Sequence, residues 1–501
     1  MLQRQWKGIQ SLTRQPIIHL IALAAVVYAL YAPSTQVGFF NDDPTGHFSW
    51  MEHRSLLRLF TSASGYPFYR PLTFVLWKAL YALLGRYEPL GFHLLNVLFH
   101  ALNCALVWML GYALTREKSY ALLAGLLFAC FPFSYEAVGY AGALFHPLVT
   151  FLILVTLLLY HESKQRNSTV LLGSAHLTLV LAVFTHENGA IAPLLILAWE
   201  TLAWSGGQPF NRRALTFFLE SVLFFGLWLI MPRSPLDDSL LQPLSSMWIS
   251  ALHFFQAIVH PVAPLAVSLA ARWGMGREVA LLAVGLVGLG AVYLLAHLSR
   301  LRGLFVLTLV LALLTALPAV LFLEGAYVSG SPRLYYLTAV GTSLLWGTAG
   351  LGMVRLVQNR SRWLKYGTYL VLAVLVLALL RFDVDFVLCR QGFYLRVTEL
   401  MHMISDAATA APPDKELVYI NLPLYFSSAG EEQETCPNPF PYGPSGALAF
   451  PQYASVSDFI AVHGGPKRPA MGVTAAAFAP GWETYGQEVS LEQVRRFLSE
   501  D

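Results

Sequence analysis

Long apolar runs separated by short polar segments make up most of this chain. Crossing a bilayer takes about 20 apolar residues. Runs of roughly that kind lie at 17–32, 90–113, 119–132, 141–160, 168–185, 189–204, 214–231, 279–298, 303–322, 333–352 and 364–381. Two further stretches, 70–85 and 247–262, are ambiguous and read as partly buried helices outside the membrane. Lys and Arg decide orientation, because loops rich in them stay cytoplasmic. With eleven crossings, Arg4, Lys7 and Arg14 share the cytoplasmic side with Arg116/Lys118, Lys164/Arg166, Arg212/Arg213, Arg300/Arg302 and Arg355/Arg360/Arg362/Lys365. Turning either ambiguous stretch into one full crossing would reverse every side downstream of it. The pattern therefore predicts an all-α polytopic membrane protein of about eleven transmembrane helices plus extracytoplasmic juxtamembrane helices.

The pattern changes near residue 382. Pro, Gly and Ser become frequent and apolar runs shorten. Glu416–Phe426 reads as a buried strand broken at Pro423, and Ser490–Gln493 as a capping box opening a helix. The expected division is a membrane domain over 1–381, its first extracytoplasmic loop spanning about 33–89, and a small mixed α/β extracytoplasmic region over 382–501. Composition agrees: 56% of residues are hydrophobic and 12% charged, against about 25% charged in soluble domains. A net charge of +3 gives no sign of a nucleic-acid partner. Of the four cysteines, Cys104 and Cys130 lie in apolar runs as packing residues, whereas Cys389 and Cys436 border the tail and could pair there. No CxxC pair suggests zinc. The first run ends in ALYAPST, where Pro33 makes cleavage awkward, so it reads as a retained anchor. No repeat of about 30–50 residues is visible, nor a GxxxxGK[ST], HExxH or GxSxG motif.

Chemistry-bearing residues collect at the extracytoplasmic ends of the runs. GFFNDDPTGHFSW (Gly38–Trp50) carries Asp42 and Asp43. Asp43 before Pro44 is a good helix start, and capping a surface helix Thr45–Phe60 is its plain structural role. One cap needs one acid, so Asp42 is free for other work, such as taking a proton from a hydroxyl. In FYRPLTFVLWKALYALLG, Arg70 and Lys78 either snorkel to the interface or, for Arg70, clamp a phosphate with a fork of donors. His93, Asn96, His100 and Asn103 share one helical face. Interhelical hydrogen bonding is the default for the last three, while His93, nearest the outer end, could reach a ligand. Glu136 in FPFSYEAVGYAGALFHP, and His186 with Glu187 in FTHENGAI, are helix-end caps or site residues. Arg333, Tyr335 and Tyr336 in EGAYVSGSPRLYYLTAVG anchor an interface or join a site, and SPLDDSL reads as a solvated loop.

The order of these blocks resembles the GT-C glycosyltransferases. Within them it is most like the membrane half of the tetratricopeptide-repeat-containing protein O-mannosyltransferases and bacterial relatives, over about residues 15–350. NDD, YRPL, GFHLLNVLFHALN, PFSYEAV, HENG and RLYYL stand where that group has DD, YRP, GxHxxNxxxH, PxxxEAV, KE and RYxY. The departures are His186 in place of a Lys, Pro332 in place of an acid, AGALFHP after Glu136, and no tetratricopeptide repeats. The resemblance implies an inverting enzyme that moves a sugar, such as mannose, from a polyprenyl-phosphate carrier to an acceptor hydroxyl on a protein, glycan or lipid. It implies Asp42 or Asp43 as general base and Glu136 as a second carboxylate. Arg70, His93, His186, Glu187, Arg333 and Tyr336 would bind substrate, with Arg70 and Arg333 bearing the charge of the phosphate leaving group. It implies an integral protein of a bacterial inner membrane, with N-terminus cytoplasmic and site and tail extracytoplasmic. Relatives that use a lipid monophosphate resemble metal-free enzymes, which is the reading adopted; the alternative is a divalent cation, Mg or Mn, on Asp42, Asp43 and Glu136. The rival function is a transporter or flippase of a lipid-linked sugar, for which related halves and broken helices at mid-membrane are expected.

Overall fold

The computed structural model describes residues 2–202, 212–232, 234, 241–420, 422, 425–427, 436, 438–443, 446–450, 455–466 and 468–473, with 2–15 as helix backbone alone. Residues 235–240 of the expected solvated loop, Pro423 and the expected helix at Ser490 lie outside them. The helices are α1 Leu2–Tyr31, α2 Trp50–Glu52, α3 Leu56–Thr61, α4 Pro71–Leu84, α5 Pro89–Thr115, α6 Lys118–Ala129, α7 Ser134–Gly139, α8 Phe145–Arg166 and α9 Thr169–Thr185. They continue with α10 Ala192–Leu202, α11 Phe217–Ile230, α12 Leu244–Ile258, α13 Ala263–Trp273, α14 Arg277–Leu298, α15 Arg302–Phe322, α16 Gly325–Gly330, α17 Thr338–Val357 and α18 Arg362–Ala410. In the tail, β1 Leu417–Ile420 pairs in parallel with β4 Ala470–Val473, and β2 Tyr425–Ser427 pairs antiparallel with β3 Gly446–Leu448. Helix α19, Val456–Val462, lies between β3 and β4 in sequence.

Local chemistry sets the ends. Pro71 and Pro89 open α4 and α5 at positions where a missing N–H costs nothing. Ser168 and Ser361 accept N–H groups of the first turns of α9 and α18. Gly85 closes α4 in the left-handed region at φ 71°. Two helices, α8 and α17, are the most enclosed of the long apolar ones, and α8–α9, α15–α17 and α5–α6 pack most extensively. By contrast α1, α11 and α14 leave Ile17, Ile21, Val222, Leu229, Leu286 and Val287 exposed. Such apolar outer faces mark surfaces covered by lipid or by another protein.

Each expected crossing falls on helix. Among the described residues, seven helices are long and apolar enough to cross a membrane, or eight if one bent pair counts as a span. The expected count of eleven rests also on α6, α9 and α10, which have 12, 17 and 11 residues, and on the first half of α18. The ambiguous stretch 247–262 runs through the break of the bent pair, where α12 and α13 meet at 114°. The division expected at 381 does not coincide with an element end, because α18 runs unbroken for 49 residues through it. A disulfide between Cys389 on α18 and Cys436 closes 47 residues of chain and fastens the tail to this helix. Cys104 and Cys130 are buried free thiols.

The expected surface helix Thr45–Phe60 is replaced by a π-helix over Asp43–Ser49, then α2, a break at His53–Ser55, and α3. His47 N–H donates to the carbonyl of Asp42, five residues back, at 2.9 Å. Aromatic packing explains why the segment turns inward. Phe39, Phe48, Met51, Tyr66, Phe74, Trp77, Phe92 and Phe145 form one buried cluster beneath it.

Candidate active site

Four chain segments converge: 38–50 with the start of α4, α7 with residues 140–146, the turn His186–Ile191, and the turn Pro332–Tyr335 with α16. Asn41 enters the first in the left-handed region, φ 55°, a conformation Asn tolerates better than most residues. The next two residues, Asp42 and Asp43, then take different roles.

Asp43 is fully buried. It does not cap the helix as expected; the N-cap position is Asp42, and neither acid makes a side-chain cap bond there. Asp43 Oδ2 instead accepts Phe40 N–H at 3.3 Å. Burial pushes its pKa well above the usual range; hydrogen bonds from Phe40, Gly142 and Tyr140 oppose this, and the charge of Asp42 adds to it. Gly142 is required here, since a Cβ would lie 2.5 Å from both Asp43 Oδ1 and the Tyr140 hydroxyl. Asp42 donates its N–H to the Tyr140 hydroxyl at 3.2 Å. Its Oδ1 has no hydrogen-bond partner among the described residues. Burial raises the Asp42 pKa, Arg333 lowers it and Glu136 raises it again, so all three share one field.

Glu136 and Arg333 are both buried and form a two-point pair. Arg333 N–H donates to Glu136 Oε2 at 2.9 Å, the guanidinium Nη1 donates to Oε1, and Nη2 donates to the Tyr327 hydroxyl at 3.0 Å. Arg70 makes a similar pair with Glu187: its Nε and Nη2 both lie 2.9 Å from Oε2. The Arg70 guanidinium sits 4.1 Å from the Phe68 ring centre and 4.8 Å from that of Phe145. His186 Nδ1 accepts Asn188 N–H at 3.0 Å. Its neutral ring therefore carries the proton on Nε2 and presents a donor. Burial, reinforced by Arg70 and Arg333, lowers the His186 pKa well below its ordinary value.

Sequence reasoning brought Asp42, Asp43, Arg70, Glu136, His186, Glu187 and Arg333 into view, and the fold collects all seven. It does not collect His93 or Tyr336. His93 is fully buried against the backbone of Val37 and Gly38. Tyr336 donates to His100 Nδ1 at 2.7 Å and accepts from Asn103 at 3.2 Å inside the bundle. The polar face of α5 otherwise does what was expected of it: Asn96 donates to Tyr140 O at 2.7 Å and Asn103 to Pro147 O at 2.8 Å. Lys78 has a structural task, donating to the carbonyls of Met51 and Glu52 at the end of α2.

Three further residues belong to the cluster and were not singled out. His47 lies under Arg70 and Arg333 and bonds the Tyr66 hydroxyl at 3.3 Å; burial and those two cations lower its pKa to about 3. His146 packs on His186 with ring centres 5.0 Å apart. Tyr327 completes the Arg333 shell. His47 stood four residues after Asp43, the one signal that could have drawn attention to it.

Of the three acids considered for a divalent cation, Glu136 is taken, and one oxygen each of Asp42 and Asp43 is open. Glu136 spends both oxygens on Arg333 and Glu187 is paired with Arg70. Asp42 and Asp43 are the carboxylates of the cluster without a cation. No group of three His, Cys, Asp or Glu side chains is arranged to ligate a metal among the described residues.

No family model matches the chain. Sequence similarity is found to human protein O-mannosyl-transferase TMTC3, 31% identical over 186 residues, covering 33% of this chain and 20% of that protein. The Drosophila melanogaster protein O-mannosyl-transferase Tmtc2 is 28% identical over 159 residues, covering 30% of this chain and 17% of that protein. The resemblance is thus to protein O-mannosyl-transferases. The matched stretch is a fifth or less of their length. Among solved structures, the Archaeoglobus fulgidus oligosaccharyltransferase superposes with a TM-score of 0.48 at 11% identity, over 93% of this chain and 65% of that one.

Proposed function

We propose that this chain is an inverting glycosyltransferase that moves a sugar from a polyprenyl-phosphate carrier to an acceptor hydroxyl at the extracytoplasmic end of an eleven-helix membrane domain. The observation that carries the proposal is the open Oδ1 of Asp42, buried in the field of Arg333 and Glu136; Asp43 Oδ1 is open too, but its Oδ2 is tied to Phe40 N–H. The relatives' names support glycosyl transfer. The Cys389–Cys436 disulfide supports an extracytoplasmic tail, since such bonds persist in oxidising compartments.

Asp42, ionised, takes the proton of the acceptor hydroxyl. The oxygen attacks the sugar carbon, the bond from that carbon to the phosphate oxygen breaks, and its electron pair leaves on the phosphate. Arg70 and Arg333 meet the growing charge from fixed positions, and His186 Nε2–H adds a neutral donor. Asp43 acts as a positioning residue that holds Tyr140 and the turn. The acceptor class is a protein hydroxyl, following the relatives.

The test is transfer from radiolabelled polyprenyl-phosphate sugars in proteoliposomes. Asp42→Asn should lose about 10²–10⁴-fold in rate while remaining folded. Intact carrier lipid crossing the bilayer equally well in wild type and Asp42→Asn, without transfer, would replace this reading by transport.

A further inference from the structure

Arg390 lies on the buried face of α18, beside the disulfide joint and outside the cluster described above. It is 1% exposed. Its Nε, Nη1 and Nη2 atoms have no hydrogen-bond partner, and it has no ion pair among the described residues. The guanidinium carbon sits 4.9 Å from the Phe386 ring centre and 5.6 Å from that of Phe393. Attraction to two ring faces recovers only part of what the cation loses by leaving water. Buried charges are retained when paired, so a buried guanidinium with every donor idle points to a missing anion.

Arg390 takes part in neither the Arg70–Glu187 pair nor the Arg333–Glu136 pair. One turn along α18, Tyr394 lies in the field of Arg390 and also of Glu136 and Arg333. Tyr394 packs on Phe40 at 4.9 Å between ring centres and against Gly139 at the end of α7. Arg390 therefore sits on the α18 side of the α7 wall.

We propose that Arg390 is a second anion site, built to hold a phosphate-bearing ligand. The guanidinium has five N–H donors in a planar fork. A carboxylate offers two oxygens, and a phosphate offers more, enough to engage both edges of the fork. The ligand comes either from a lipid-borne phosphate or from a soluble one. This inference stands apart from the transfer reaction and survives its failure.

The test uses the full chain in a maltoside detergent free of phosphate, melted with inorganic phosphate, with polyprenyl phosphate, or with chloride at equal ionic strength. Saturating phosphate should raise the wild-type Tm by about 2–4 °C. In Arg390→Met that rise should fall by half or more, while Arg333→Met retains the Arg390 share. Without added anion, Arg390→Met should melt at or above wild type, because an apolar side chain of similar length replaces an uncompensated charge. A rise with polyprenyl phosphate alone assigns the site to a lipid, and a rise with inorganic phosphate assigns it to a soluble group. No rise with either phosphate, a rise unchanged in Arg390→Met, or an Arg390→Met chain that melts below wild type would each overturn the proposal.

Discussion

The Glu136–Arg333 pair offers a sharp quantitative test. Both side chains are buried, and Glu136 engages Arg333 through the main chain and the guanidinium. Removing one member of such a pair strands a charge, at about 3–5 kcal/mol. In Glu136→Gln the amide oxygen still accepts Arg333 N–H, and the Tyr327 hydroxyl still takes Nη2 at 3.0 Å. That places Glu136→Gln near the low end, about 3 kcal/mol. Arg333→Gln strands the carboxylate instead and should cost a similar amount. In the double variant neither charge remains and two amides can bond each other, so it should be no less stable than either single variant. The expected coupling is at least about 3 kcal/mol, the upper end for contacting residues. The measurement is unfolding free energy in mixed micelles for all four chains, with sugar transfer followed in parallel. Transfer should be lost by at least about 10²-fold in every variant, double included, because Arg333 is required at the leaving phosphate. Additive single costs, with coupling below about 0.5 kcal/mol, would refute the pair as a buried unit. A double variant that transfers normally would refute the role of Arg333.

Other outcomes follow from the same geometry. Burial raises the Asp42 pKa, so its folded form holds a proton more tightly than the unfolded chain. Stability should therefore fall as pH rises from the unfolded carboxylate value through the raised one. Asp42→Asn should accordingly melt no lower than wild type at neutral pH, and wild-type transfer should decline on acidification at a pH above that of an ordinary carboxylate; a lower-melting variant refutes the burial argument. Gly142→Ala should cost about 1–3 kcal/mol by overpacking and impair transfer, since its Cβ would meet Asp43 and Tyr140 at 2.5 Å; unchanged melting and transfer would mean the turn yields freely. Cys436→Ser opens a 47-residue loop, worth about 4 kcal/mol in the chain-entropy account. The tail beyond Ala410 should then be cleaved faster by protease, and equal cleavage would show that the joint does not hold it.

The sequence alone determined the solvent and the linear order. Apolar runs long enough for a bilayer, and polar residues confined to their ends, are properties of neighbouring residues, so they can be read directly. The polar face of α5 follows from a spacing of three and four, and the prediction of bonds between helices holds for His100 to α6 and Asn103 to α8, while Asn96 bonds the Tyr140 carbonyl just beyond α7. Helix ends signalled by Pro71, Pro89 and Ser361 are likewise local. Tertiary structure decided who meets whom. Glu136 and Arg333 are 197 residues apart, and no local rule gives Arg333 to Glu136, or Arg70 to Glu187 across 117 residues. The two adjacent acids looked interchangeable in sequence. Only the fold tethers Asp43 through its Oδ2 to Phe40, while Oδ1 of each acid stays open. Tyr336 carried a site motif, yet packing turned it to His100. Charge and hydrogen-bond strength depend on burial, and burial is a property of the whole assembly of helices.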